Sequence, residues 1–407
     1  MNKKAEAEMA TSTPEQKCLF QYESNWYSLM PGESDESKRA AEQTKQRLND
    51  HLSSMLLSQN LLLLFGSGAS VAVGGPSMQA LWDEAADSQK TVFKEICDSV
   101  GHPIDKNDIE ALLSCCQGAQ AFVEKSKSDK IKAFIEAIEG IIRDRCRNLE
   151  KWSKDQGKNQ TTVDIIAHHS MLLSRVVPRR QDLPRTRVFT TNYDLCLEFA
   201  AKGKRMPILD GFDLITPRTF DGRWFDYDFV RRSMREGSPD FLESVFHLYK
   251  LHGSVDWHRS TDGIVRDPDT KTPYLIYPRN EKFALSFEQP FLEMMSRFQM
   301  ALREKDTALL LIGFGFNDHH LNQPIYHALA TNPNFKLLVV DHAPVEKLAI
   351  GRSWEKLYLL QQSGAPIDVI QMDFKDFPAF LPTYSKARAS NTQDKAAQLL
   401  KVLSAKS

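Results

Sequence analysis

Four short apolar runs in this chain each end in a cluster of glycine or small polar residues. Leu61–Phe65 runs into Gly66-Ser67-Gly68-Ala69-Ser70, and Val188-Phe189 into Thr190-Thr191-Asn192-Tyr193-Asp194. His247–Leu251 runs into His252-Gly253-Ser254, and Leu309–Ile312 into Gly313-Phe314-Gly315-Phe316-Asn317-Asp318. An apolar run that stops at glycine is the pattern of a strand buried on both faces and followed by a tight turn. Repeated with helical stretches between, it predicts a Rossmann-like α/β fold with a doubly wound parallel sheet. Ligands of such sheets sit beyond the carboxyl ends of the strands, where these four clusters stand.

The periodicity elsewhere fills in the organisation. Residues 1–38 are polar and are expected to form a flexible or loosely docked arm. Ala40–Leu57 places Leu48, Leu52, Met55 and Leu56 on one helical face and feeds the first strand. Residues 80–175 lose the strand signal. Ile131, Phe134, Ile135, Ile138, Ile141 and Ile142 recur at helical spacing, as do Ile109, Leu112, Leu113 and Cys116, with Asp105 and Asn107 as cap candidates. This block reads as a helical insertion. Strand patterns return at Arg187–Thr190, Val245–Leu251, Tyr274–Pro278, Ala308–Ile312, Lys336–Val340 and Pro366–Gln371, with a helix over His319–Ala330. Residues 204–245 read as irregular. A main domain over 39–383 is followed by a polar tail over 384–407 with a short helix near Asp394–Leu403.

Composition narrows the chemistry. Lys plus Arg is 52 and Asp plus Glu is 53 in 407 residues, so no net charge points to a nucleic acid as ligand. No apolar run approaches the roughly 20 residues that span a bilayer. The N-terminus lacks the apolar stretch of a secretion signal, and the six cysteines show no framework spacing, so a reduced, cytoplasmic protein is expected. No Cys-x-x-Cys occurs, and His168-His169 and His319-His320 lack the i, i+4 spacing of a helical metal site, so no metal is expected.

Each cluster admits a functional and a structural explanation. Gly66, Gly68, Ala69 and Ser70 suit a turn whose backbone approaches a pyrophosphate, or an ordinary strand–helix turn. Asn192 carries donors and an acceptor that can hold a ribose hydroxyl and a water together. Asp194 suits the N-cap of a helix over Leu195–Ala200, and Asp318 the N-cap of the next one. His252 can act as a general base, the usual part of a histidine in catalysis, or sit half-buried against a carbonyl. Gly313, Gly315 and Asn317 repeat the glycine turn. Asp341, at the end of Lys336–Val340, is placed like the acid that takes a ribose hydroxyl pair in dinucleotide folds.

Taken in order, these segments resemble the sirtuin family of NAD-dependent enzymes. The family pattern is a Gly-Ala-Gly-x-Ser turn, a Thr-Gln-Asn-x-Asp segment, a Leu-His-Gly segment and a Gly-Thr-Ser turn. Gly66, Gly68 and Ser70 match the first; Thr190, Asn192 and Asp194 the second; Leu251, His252 and Gly253 the third. Gly313 and Gly315 stand where the fourth would be. The resemblance covers roughly residues 58–375. Thr191 replaces the family's Gln, and the two Cys-x-x-Cys pairs of the deacetylases' zinc module are absent. Phe-Thr-Thr-Asn-Tyr-Asp, Lys-Leu-His-Gly-Ser-Val-Asp-Trp and Ile-Gly-Phe-Gly-Phe-Asn-Asp are similar to a divergent bacterial branch whose members hydrolyse NAD in anti-phage defence.

That resemblance implies NAD as substrate, with Asn192 and His252 as catalytic residues. It implies Gly66, Gly68, Ala69, Ser70, Thr191, Asp194, Gly313, Gly315, Asn317 and Asp341 as residues that hold the nucleotide. It also implies a homo-oligomer, gated through a partner such as a HerA-like ATPase, because unchecked NAD loss would kill the host. Two other functions follow from the same segments: an NAD-dependent deacylase, and a nucleotide-sensing module without turnover.

Overall fold

The computed structural model describes residues 18–22, 25–120, 122–155, 157–232, 240–277, 288–344 and 354–389. Its strands in chain order are β1 (Leu19–Tyr22), β2 (Asn25–Ser28), β3 (Asn60–Phe65), β4 (Arg187–Thr190), β5 (Ile208–Leu209), β6 (Val230–Arg231) and β7 (Asp240–Phe241). They continue with β8 (Phe246–Lys250), β9 (Trp257–Ser260), β10 (Gly263–Arg266), β11 (Thr307–Ile312), β12 (Lys336–Asp341) and β13 (Ile367–Gln371). The chain divides into two compact units. One comprises Met1–Leu64, Met171–Arg187 and Met300–Ser407, the other Phe65–Ser170 and Val188–Gln299.

In the first unit the strands lie in the order β2-β1-β13-β12-β11-β3. β11, β12 and β13 pair in parallel. Every residue of β3 and β11 is buried, as unbroken apolar runs of a parallel sheet require. The helix Asp35–Leu56 starts at Ser34, whose hydroxyl accepts from the Ser37 N–H, and buries Leu48, Leu52, Met55 and Leu56 as the spacing predicts. Within the expected N-terminal arm the described residues include two strands. β1 pairs antiparallel with β13 and β2 with β1, with Phe20 opposite Ile370 and buried. Two short strands with Phe20, Trp26 and Tyr27 thereby cover the edge that β13 would otherwise expose.

In the second unit the order is β4-β8-β5, with β5 parallel to β8. Both units together give the mixed, mostly parallel α/β fold of Rossmann type that the strand pattern predicts, flanked by helices. Within 204–245, expected to be irregular, β6 and β7 form a small antiparallel pair, and β9 with β10 forms another just after it. The expected strand over Tyr274–Pro278 is reduced to one bridge between Gly253 and Leu275. Pro273 lacks the N–H that a longer ladder would need, and Pro278 lies outside the described residues.

The insertion is helical, as expected. Helices Met78–Ser88, Lys90–Ser99, Ile109–Gln120 and Lys125–Arg147 enclose a core that includes Trp82, Phe93, Leu113, Phe134 and Ile138. The cap of Ile109–Gln120 is neither Asp105 nor Asn107. Asp108 accepts from the Ala111 N–H at 2.9 Å, while Asn107 takes the left-handed conformation (φ 48°) that ends the preceding turn. The insertion's core also contains Leu275 and Tyr277 and packs against Tyr193, next to Asn192. All six cysteines are free thiols. The helix expected near Asp394–Leu403 lies outside the described residues. Among the described residues no helix is long and apolar enough to cross a membrane.

Candidate active site

Strand ends of the second unit bring the Gly66, Asn192 and His252 segments together. Phe65 closes β3, and its carbonyl accepts from the Thr191 N–H at 3.1 Å. The Leu251 N–H donates to the Thr190 carbonyl at 2.9 Å, so the chain leaving β8 runs beside the chain leaving β4. Asn192 and His252 each follow the last residue of their strand by one intervening position. Both therefore sit where an α/β sheet presents chemistry.

Asn192 is held by its own amide. Its Nδ2 donates to the Gly66 carbonyl at 3.0 Å and to Ser70 Oγ at 2.9 Å, and its backbone N–H donates to Thr190 Oγ1 at 3.0 Å. A backbone carbonyl can only accept, so the side-chain nitrogen must face Gly66 and the oxygen must face away. Both donors are thus committed, and Oδ1 is the acceptor that these bonds leave over. Ser70 Oγ donates to Asp194 Oδ2 at 2.6 Å. Asp194 Oδ1 accepts from the Cys196 N–H at 3.0 Å, at the start of the helix Cys196–Lys204. Asp194 therefore serves the helix start, as its position predicts, and also anchors Ser70. With its hydroxyl proton directed at Asp194, Ser70 supports Asn192. In the first turn of the helix Ser67–Ala72 the Ala69 N–H donates to the Gly66 carbonyl at 3.2 Å. Ala69 is fully buried beneath that turn.

His252 is 9% exposed. Its carbonyl accepts from the Ile276 N–H at 2.9 Å. Gly253 follows at φ 88°, and a methyl on it would lie 2.3 Å from the Tyr274 carbonyl oxygen. Only glycine meets both demands. Gly253→Ala is expected to cost about 3 kcal/mol of stability through strain and displacement of the Tyr274 backbone. Thermal unfolding checks this, and a melting temperature equal to wild type would refute it.

Beneath these segments lies a charge cluster that sequence reasoning missed. Lys250, 3% exposed, meets Glu198 at 3.1 Å. Arg266 binds Asp256 and meets Asp210 at 2.7 Å, and Arg218 also pairs with Asp210 at 2.7 Å. Burial raises the Glu198 carboxyl above its ordinary value, with Lys250 and Arg266 pulling it back. Burial opposes ionisation of Asp256 too, but Arg266 and Lys250 outweigh it and hold that carboxyl low. The signal in the sequence was a lysine between Tyr249 and Leu251, inside an otherwise apolar run.

His169, from one of the adjacent histidine pairs, is buried with its ring 6.2 Å from that of Phe65. Burial pushes its imidazole from 6.5 down to about 4, against the pull of Asp194. The folded state therefore binds fewer protons there than the unfolded chain. The resulting stability is complete above pH 6.5 and is lost as pH falls toward 4, by about 3 kcal/mol in all. The melting temperature should fall through that window and fall less in His169→Phe. Parallel pH curves for the two proteins would contradict the assignment. Among the described residues no three His, Cys, Asp or Glu side chains group to hold a metal.

The other four candidates belong to the first unit. Gly313 has φ 60°, and its N–H donates to the Val340 carbonyl at 2.9 Å. Gly315 lies close to the Asn317 amide, 3.2 Å from where its Cβ would be. Phe316, fully buried, holds the left-handed conformation at φ 55°, with its carbonyl accepting from Asn322 Nδ2 at 2.7 Å. Asp318 caps His319–Thr331 by accepting from the His320 N–H. Asp341 is buried at the end of β12 and accepts from the Ala343 N–H at 2.9 Å, so it is not a solvated loop residue.

The chain has no match among curated proteins. Residues 186–360 match the family model for the SIR2-like domain, a stretch that contains Asn192, Asp194, His252, Gly313 and Asp341 but not the Gly66 turn or the helical insertion. That match supports a sirtuin-like assignment and NAD-related chemistry for this part of the chain.

Proposed function

We propose that the protein hydrolyses NAD at the nicotinamide–ribose bond, giving nicotinamide and ADP-ribose. The observation that carries this is the fixed amide of Asn192, which leaves one acceptor oxygen at the strand end neighbouring that of His252. In the reaction the bond from ribose C1′ to the nicotinamide nitrogen breaks, and its electron pair leaves with neutral nicotinamide. A water adds to C1′ and loses one proton. Positive charge develops on the ribose on the way, so orientation and a placed water matter more than leaving-group activation. Asn192 Oδ1 holds the water or a ribose hydroxyl, and His252 takes its proton. The Gly66–Ser70 backbone takes the pyrophosphate. Gly313, Gly315, Asn317 and Asp341 are assigned to the nucleotide on the resemblance alone.

The biological role we propose is an NAD-depleting effector of bacterial anti-phage defence, assembled as a homo-oligomer and gated by a HerA-like ATPase. This rests on analogy with the branch the sequence resembles. The test follows nicotinamide and ADP-ribose from NAD with and without the ATPase and DNA, then repeats the reaction with an acetylated peptide. Equal amounts of both products, unchanged by peptide, are expected. Acetyl-ADP-ribose would establish a deacylase instead. NAD that binds tightly but stays intact under every condition would establish a sensing module.

A further inference from the structure

We propose that Lys250 is a positioning residue that fixes the Asn192 turn to the strand carrying His252. An ammonium has three N–H donors. Those of Lys250 meet the Tyr193 carbonyl at 3.3 Å, the Asp194 carbonyl, and Glu198 Oε1 at 3.1 Å. Two of its three acceptors are therefore the backbone oxygens immediately after Asn192. The third lies in the first turn of the helix that this turn enters.

Backbone bonds tie the two ends of this segment, and the Lys250 side chain adds the bond to the Asp194 carbonyl that they do not make. Leu251 N–H binds Thr190 before Asn192, and Val255 N–H binds the Tyr193 carbonyl at 3.1 Å. Lys250 grips the consecutive carbonyls of Tyr193 and Asp194 from β8, two residues before His252. A shift of that turn would move Asn192 relative to His252, and a misplacement of about 1 Å can cost about 100-fold in rate.

A buried ion pair can also act only by neutralising its partner, and that alternative is separable. Lys250→Met leaves Glu198 buried with Arg266 at 4.0 Å as its remaining cation, and should destabilise the fold. Adding Glu198→Met removes one charge of each sign, leaving Arg266 and Arg218 opposite Asp256 and Asp210. Replacing a buried pair by apolar side chains is often neutral for stability.

The catalytic consequence rests on the NAD-hydrolase function; the positional one does not. The double variant K250M/E198M should melt well above K250M. Its backbone amides over residues 190–196 should still exchange about tenfold faster than in wild type, as a locally released turn does. Its kcat for nicotinamide release should be about 100-fold lower with KM little changed. Wild-type exchange and turnover in a double variant with recovered melting temperature would overturn the proposal, because Lys250 would then only neutralise Glu198. If wild type releases no nicotinamide, the NAD function fails while the exchange rates still decide the role of Lys250.

Discussion

Asn192→Ala is expected to lower nicotinamide release by about 1,000-fold or more while the protein stays folded. The substitution removes the one acceptor aimed at the ligand, and with it the placement of water against ribose C1′. Its structural cost is limited. The Gly66 carbonyl and Ser70 Oγ, on buried residues, each lose one partner, and the space left by the partly buried Asn192 side chain opens to them. Water can replace those bonds. Asn192→Asp discriminates further. A carboxylate keeps the shape but turns an acceptor toward the Gly66 carbonyl, where only a donor fits. It should be as impaired as alanine. If Asn192→Ala turned over like wild type, with an unchanged melting temperature, the central assignment would fail.

His252→Ala is the second large effect, about 100- to 10,000-fold in kcat, the range for loss of a positioned general base. KM for NAD should change little, since the imidazole acts on water or a hydroxyl in the transition state rather than on bound NAD in the ground state. Wild-type kcat in a folded variant would mean that His252 only shapes the site. Both measurements belong on protein with a verified melting temperature, because Gly253 beside His252 packs its backbone close against Tyr274.

Much of the fold was legible because its strongest signals are local. Unbroken apolar strands such as Leu309–Ile312 and the three-four spacing of Ile131–Ile142 each point to one element type. What escaped depended on distant partners. β1 exists because β13 offers an edge, which no pattern within residues 1–38 reveals. Asp108, rather than Asp105 or Asn107, caps its helix by a difference of one to three residues, at the resolution limit of any pattern.

The site divides the same way. Residue types at strand ends singled out Asn192 and His252, but sequence could not show that both amide donors of Asn192 are committed. Nor could it show that those donors go to Gly66 and Ser70, or that the Ser70 hydroxyl in turn donates to Asp194. Lys250 was passed over because its role comes from contacts to backbone carbonyls 56 and 57 positions away.

The most direct measurement is the yield of nicotinamide and ADP-ribose per protein in a peptide-free reaction with NAD, with the ATPase and DNA supplied. Many turnovers with the two products in equal amounts are expected. NAD retained intact, or nicotinamide appearing only once an acetylated peptide is added, would contradict NAD hydrolysis as the function of this chain.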